Sequence, residues 1–122
     1  MVKLSAFADE VADDLAGQFK FLVAQRVSYI EPRFINQKNI VALNDAELKD
    51  ARKILSDYGL KVSAIGSPIG KIRLDEPFAS HLDKFKHAVE LALLFETRLI
   101  RVFSYYAPEG KKVADYRDEV MR

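Results

Sequence analysis

One pattern recurs four times along this chain: a short run of β-branched and aromatic residues, then an amphipathic helical stretch. The runs occupy residues 2–7, 27–33, 60–67 and 99–104. Each gap between them is long enough for a right-handed crossover helix, which makes neighbouring strands parallel. Four parallel strands cannot close on themselves. A closed (β/α)8 barrel takes about 250 residues, and the last helix, starting at Asp115, has made only about two turns by Arg122. The sequence therefore predicts an α/β fold, the (βα)4 N-terminal half of a TIM (β/α)8 barrel. Residues 1–122 form one partial domain, a parallel sheet with outer helices.

The stretches between the runs read as helices in their own right. The acidic turn Asp9, Glu10, Asp13, Asp14 suits a helix N-terminus, and Leu15, Phe19, Leu22 and Val23 follow as an apolar stripe, slightly weakened by Gly17. The second helix opens at Asn44 with Glu47 three residues on, the spacing of a capping box. It predicts Leu48, Ala51, Leu55 and Tyr58 as buried and Gly59 as its stop. The third follows Asp75, has Pro77 in its first turn, and predicts a buried face of Phe78, Leu82, Phe85, Val89 and Ala92. Pro108 and Gly110 end the loop after the fourth run.

Alternation along each strand assigns side chains to the lumen or to the helix layer, and the outer face must be apolar. Leu4, Ala6, Ile30, Val62, Ala64, Ile100 and Val102 then face the helices. Ser5, Phe7, Tyr29, Glu31, Arg33, Ser63, Ile65, Ser67, Leu99, Arg101 and Phe103 face inward. That lumen holds an acid and two bases where a purely structural barrel would prefer branched aliphatics.

Charge and composition narrow the partners. The chain is 49% hydrophobic, and 19 basic residues interspersed with 18 acidic ones leave a formal net charge of +1, so no basic stripe is offered to a nucleic-acid backbone. Cysteine is absent, which removes disulfides, thiolate metal sites and cysteine nucleophiles. The longest apolar run, residues 91–95, follows no basic leader and is too short to span a bilayer. The expectation is a cytoplasmic protein without nucleic-acid or membrane partners. Gly66 to Lys71 is one residue short of a phosphate-binding P-loop, with Ile72 where a magnesium-binding hydroxyl would stand, so it is read as a tight turn. His81 and His87 lie about 240° apart around a helix axis, cannot share a metal, and are expected at the surface.

Four segments together carry a resemblance. They are Lys3-Leu4-Ser5-Ala6-Phe7-Ala8-Asp9-Glu10; Tyr29-Ile30-Glu31-Pro32-Arg33 with Asn36, Lys38 and Asn39; Ser63-Ala64-Ile65-Gly66-Ser67-Pro68-Ile69-Gly70-Lys71; and Arg101-Val102-Phe103-Ser104-Tyr105-Tyr106 with Pro108-Glu109-Gly110. The chain resembles a sugar phosphate isomerase/epimerase of the xylose isomerase-like barrel superfamily, over the first half of that barrel. It departs from the family at Pro32, Phe34 and Gln37, where relatives commonly have Leu, Gly and Gly. Inosose dehydratases, hydroxypyruvate isomerases, ketose epimerases and apurinic endonucleases share the superfamily, so the likeness names a family before a substrate.

The resemblance implies metal-assisted aldose–ketose isomerisation or epimerisation of a small sugar or sugar phosphate through an enediolate. A divalent metal (Mn, Mg, Zn or Co) on two Glu, one Asp and one His would polarise the substrate oxygens while a carboxylate moves the proton. In such barrels those ligands lie on second-half strands, so no catalytic residue and no metal ligand is carried over to this chain. What is carried over is a set of substrate contacts at the strand ends and the loops that follow. By position these are Phe7, Glu31, Arg33, Ser67, Lys71, Phe103 and Ser104.

Each candidate also has a structural reading. Glu31 and Arg101 come from alternate strands, which supply one interior layer, so an ion pair between them is expected before a catalytic Glu31. Arg33 either clamps a phosphate or carboxylate or serves as a second partner for Glu31. Phe7 and Phe103 either stack on a sugar or plug the barrel. Ser104 is a loop cap or a ligand, and Lys71 a sugar-phosphate contact or a solvated lysine. Three readings of the whole chain follow: a truncated or split isomerase that needs its complementary C-terminal half, a noncatalytic half-barrel that self-associates, and an apurinic-endonuclease-like protein. Near-neutral charge argues against the third, and an ending inside a helix favours the first.

Overall fold

The computed structural model describes residues 2–121. β1 (Ser5–Ala6) runs into a single 3-10 turn at Ala8–Glu10. Asp14 then caps α1 (Leu15–Ala24) by accepting the Gly17 N–H at 2.8 Å. β2 (Tyr29–Ile30) is followed by a hairpin of β3 (Phe34–Ile35) and β4 (Lys38–Asn39). α2 (Asp45–Tyr58) starts with the expected capping box, Asn44 and Glu47 each accepting the other's backbone N–H at 2.9 Å, and ends at Gly59 with φ +66°. β5 (Lys61–Val62) and α3 (Phe78–Leu94) come next. A 3-10 turn at Val113–Tyr116 leads to α4 (Arg117–Val120), where the fourth helix is expected; its expected last residue, Arg122, lies outside the described residues.

Among the described residues the fold is mixed α/β, built on a small parallel sheet in the order β1-β2-β5. Its register aligns Ser5 with Tyr29 and Lys61, and Ala6 with Ile30 and Val62. The fourth run does not make a strand. Residues 99–101 join through one parallel bridge between Ile65 and Ile100, with the Ile65 N–H donating to Leu99 O and the Arg101 N–H donating to Ile65 O, both at 2.9 Å. No helix among the described residues is long and apolar enough to cross a membrane.

A bend at Ser63 and Ala64 explains why the third run is not one continuous strand. The Ser63 carbonyl leaves the ladder and is satisfied by the Thr97 hydroxyl at 2.7 Å, since a part-buried carbonyl needs a donor. The alternation shifts across the bend. Val62 and Ile65, three residues apart, are both buried in the core, so Ile65 is not the lumen residue that strict alternation predicts.

Two helices depart from the buried stripe their periodicity suggests, α1 at Val23 alone and α3 at every expected position but Ala92. In α1 Val23 is 48% exposed, and Gln18 lies inside instead, its amide donating to Phe34 O at 3.0 Å and Asp13 O at 3.3 Å. Leu15, Phe19 and Leu22 are buried as expected, and Phe19 meets Tyr58 of α2 edge-on at 5.9 Å. In α3 the buried residues are His81, Ala88, Leu91 and Ala92, while Phe78, Leu82, Phe85 and Val89 stay largely exposed. Both faces of α3 are apolar, so period alone does not choose between them. The smaller side chains let the helix sit close to the chain beneath. The bulkier face instead borders a groove of about 300 Å³ with Ile69, Val102 and Tyr105.

The hairpin turns on Asn36 and Gln37, both left-handed at φ +51° and +64°, the two-residue geometry that matches strand twist. Asn36 is tied down by its N–H, which donates to Asp13 O at 2.8 Å. Gln37 gains only an exposed side-chain bond, its Nε2 donating to Asp13 Oδ2 at 3.3 Å, in return for its left-handed backbone. An L-residue with a Cβ is strained in this region by about 1 kcal/mol or more. Gln37→Gly is expected to stabilise the protein by about 1 kcal/mol, net of the greater chain entropy of glycine. Urea denaturation checks this through a raised midpoint at constant slope; an unchanged or lowered midpoint would show the turn to be unstrained.

Candidate functional site

The parallel register brings together side chains far apart in sequence at the C-terminal ends of the strands. Arg101, one residue past the Ile65–Ile100 bridge, is the hub. Its guanidinium carbon lies 5.0 Å from the centre of the Phe7 ring and 5.1 Å from that of Phe103, within cation–π range of both. Its Nε is 3.2 Å from Glu31 Oε1, which establishes the expected ion pair. The contact is close but misaligned, and neither of these buried atoms completes a hydrogen bond in the protein. Burial raises the Glu31 carboxyl above the ordinary carboxylate range, against the opposing charges of Arg101 and Arg33.

The hydrogen bonds of Arg33 go to Asp9 and Glu10, not to Glu31. Its Nε reaches both oxygens of Asp9 at 3.2 Å, and its Nη2 reaches Asp9 Oδ2 at 2.9 Å and Glu10 Oε1 at 3.0 Å. The same guanidinium lies over the Phe7 ring, its carbon 4.5 Å from the ring centre. The fork that would clamp a phosphate is filled by the protein's own carboxylate. The register contained the signal for this pair. Asp9 and Arg33 are 24 residues apart, the offset that pairs Ser5 with Tyr29 and Ala6 with Ile30. Assigning Asp9 and Glu10 to the following helix dipole concealed it.

The loop after β5 is tied down along its length. Ser67 is fully buried; its hydroxyl donates to Arg101 O at 2.5 Å and accepts the Ile69 N–H at 3.3 Å. Both contacts are to backbone, so the hydroxyl fixes the loop to the fourth segment. Gly70, with φ +85°, lies so close to Phe103 that a Cβ there would fall 1.8 Å from the Phe103 carbonyl oxygen. Lys71 then projects outward with its ammonium 4.6 Å from the centre of the Phe103 ring. Ser104 is exposed at the rim.

Five of the seven expected contacts, Phe7, Glu31, Arg33, Lys71 and Phe103, thus form one connected cluster through Arg101 and the two rings. Ser67 sits beneath it and Ser104 beside it. The residue that sequence reasoning misplaced is His81, expected at the surface but only 5% exposed, with its Nε2 accepting the Gly70 N–H at 2.7 Å. Its position was signalled by Ala88, Leu91 and Ala92, which follow it on the same helix face. His87 is half-buried, with its Nδ1 3.2 Å from Oε2 of Glu90 on the same helix.

Among the described residues no group of three or more His, Cys, Asp or Glu side chains could hold a metal ion. Asp9 and Glu10 are engaged by Arg33, and Glu31 by Arg101. The donor set at these strand ends does not fit a divalent metal. Compared with models of known protein families the chain gives no match, and no curated protein matches it.

Removing one partner of a part-buried pair leaves the other charge uncompensated. Arg101→Met is expected to cost about 1–2 kcal/mol at neutral pH, scaled down from a fully buried pair because both groups retain some solvent. The folded-state pKa of Glu31 is raised above its unfolded value, so whatever stability its protonation confers is present below about pH 4.5 and is lost as pH rises through the folded value. The Arg101→Met penalty should therefore shrink near pH 4, and adding Glu31→Gln should recover most of it at neutral pH. Denaturation of the two singles and the double checks this; additive losses at both pH values would show the groups to be independent.

Proposed function

We propose that the chain forms the first (βα)4 half of a xylose isomerase-like barrel. In this reading the strand ends supply the substrate-contact half of a pocket for a small sugar or sugar phosphate, in a protein of the sugar isomerase/epimerase kind. The observation that carries the reading is the cluster around Arg101: two aromatic rings, a carboxyl and two cations with no competing carboxylate fork, gathered where parallel α/β sheets place their sites. The sequential order of the parallel strands and the position of residues 99–101 beside Ile65 fit four consecutive barrel segments.

The division of labour follows from the chemistry of each group. Phe7 and Phe103 offer apolar faces to the C–H side of a sugar. Lys71 and Arg101 attract a phosphate or an oxygen carrying partial negative charge. Glu31, with its carboxyl raised by burial, exchanges hydrogen bonds with a hydroxyl as acceptor or, once protonated, as donor. The family's divalent metal and its enediolate chemistry need ligands that these residues do not supply, and a complementary C-terminal half would bring them.

Titration calorimetry with paired sugars and sugar phosphates tests this. Phosphorylated ligands should bind more tightly than their parent sugars, and Lys71→Met should weaken the phosphorylated member about tenfold, the loss of one charge-assisted contact, with little effect on the other. Absence of binding by every member at millimolar concentration would overturn the reading. The pure 122-residue protein with manganese or magnesium should turn over no aldose or ketose; measurable turnover would place the chemistry in this half after all.

A specific observation also favours self-association. β1 is paired only with β2 among the described residues, and Leu4 and Leu99 are 67% and 63% exposed beside the sheet's outer segments. Two copies pairing first segment with fourth at both seams would close an eight-membered arrangement. Sedimentation at micromolar concentration is expected to show a weak dimer; a monomer with a cooperative melt would exclude this closure.

A further inference from the structure

Lys71, the exposed cation of the cluster, is positioned by a side chain that lies outside it. The Gly70 N–H points at Nε2 of His81, 2.7 Å away and inside the protein. A ring nitrogen accepts only when it carries no proton, so this bond requires Nε2 to be bare and the neutral ring to carry its proton on Nδ1. A second proton would set two N–H donors facing each other at contact distance. The loop has no slack to absorb the change. Gly70 is pressed against the Phe103 carbonyl, the Phe103 N–H donates to Ile69 O at 2.7 Å, and Ser67 binds Arg101 O. A displacement of Gly70 is passed to Lys71 on one side and to Phe103 on the other.

We infer that His81 is a positioning residue and a proton-sensitive latch for the anion-binding part of the site: its neutral ring holds the Gly70 turn so that Lys71 and Phe103 stand beside Arg101, and its protonation releases them. The inference rests on reading Lys71 and Arg101 as an anion contact. The groups around the imidazole set when the latch opens. Burial and Lys84 on the same helix favour the neutral ring, and Glu76 ahead of the helix opposes them. The Tyr105 ring packs edge-on at 6.1 Å, and Ile69, Gly70 and Phe103 bring no charge, while Lys71 directs its ammonium over Phe103. The folded-state pKa is thereby lowered below 6.5, so the bond is intact at neutral pH and is lost as pH falls through that lower value.

Sulfate is the probe of choice because its charge is constant over this range, leaving any pH dependence to the protein. General electrostatics makes a protein bind anions more tightly as it gains protons; the latch demands the opposite. For the full chain, sulfate affinity measured by amide-resolved NMR titration should fall about fivefold or more as pH is lowered from about 7.5 through the midpoint at which the His81 ring signals themselves titrate, a coupling of ordinary allosteric size. The Gly70 and Lys71 amide signals should move with the same midpoint. His81→Gln offers an amide oxygen to the Gly70 N–H and does not titrate, so it should retain binding at the higher pH and abolish the loss at the lower one. His81→Leu should bind weakly at both. Affinity that stays flat or rises on acidification, or a loss that persists in His81→Gln, would overturn the inference. If sulfate binds at neither pH, the anion reading of the cluster falls. The latch is then decided by the amides alone: a shared midpoint in the parent that vanishes in His81→Gln upholds it, and its absence sinks it.

Discussion

Parallel pairing at a fixed offset is the constraint on which this structure rests. Once Ser5 lies beside Tyr29, every later residue of the first segment faces a determined residue of the second. Phe7 falls beside Glu31 and Asp9 beside Arg33, although the strands proper are only two residues long. The hydrogen-bonded ladder is minimal, yet the consequences of its register reach three or four residues beyond it. Groups that would be costly alone are brought against compensating ones: a guanidinium meets a carboxylate fork, and another lies between two aromatic rings. A one-residue slip would separate all of them at once.

The cluster is not built for stability. Glu31 and Arg101 approach closely without aligning, so the two facing atoms, Oε1 and Nε, are removed from water with an imperfect substitute. A core-filling Leu and Val at these positions would leave no polar atom without a partner. What the arrangement retains is unsatisfied hydrogen-bonding capacity beside two apolar rings. Arg33 is different in kind. Its hydrogen bonds are spent on Asp9 and Glu10, and it acts as a wall behind Phe7.

How much of this could be read from the residues depends on whether the determining interaction was local. The Asn44 capping box and the Gly59 stop are written within a few residues and stand as expected. The Glu31–Arg101 pair followed from strand alternation, which held because no irregularity intervenes between Tyr29 and Glu31. Alternation failed at Ile65, where a bend that depends on a distant Thr97 hydroxyl shifts the faces. Periodicity failed on α3 because two apolar faces compete, and the choice is settled by tertiary partners. Chief among these is a backbone N–H of the preceding loop, which draws His81 inward. The Arg33–Asp9 pair was legible in principle from the register, but it required combining two segments instead of reading each alone.

Two isolated bridges, Ile65–Ile100 and Arg73–Tyr106, join the end of the described chain to the rest and divide the molecule unequally. On one side, α1, α2, the hairpin and three paired segments share a continuous core and many cross-ties. On the other, residues 99–121 hold to that body through the Ile65 ladder bonds, the Ser67 hydroxyl and a few backbone contacts around Ile72 and Leu74. Cooperative units open in order of the contacts that bind them. This last stretch of the chain is therefore the region that peels away first when the protein is pulled, warmed or exchanged against heavy water. Because Arg101 and Phe103 travel with it, the cluster is dismantled by the mildest excursion from the native state, long before the core is breached.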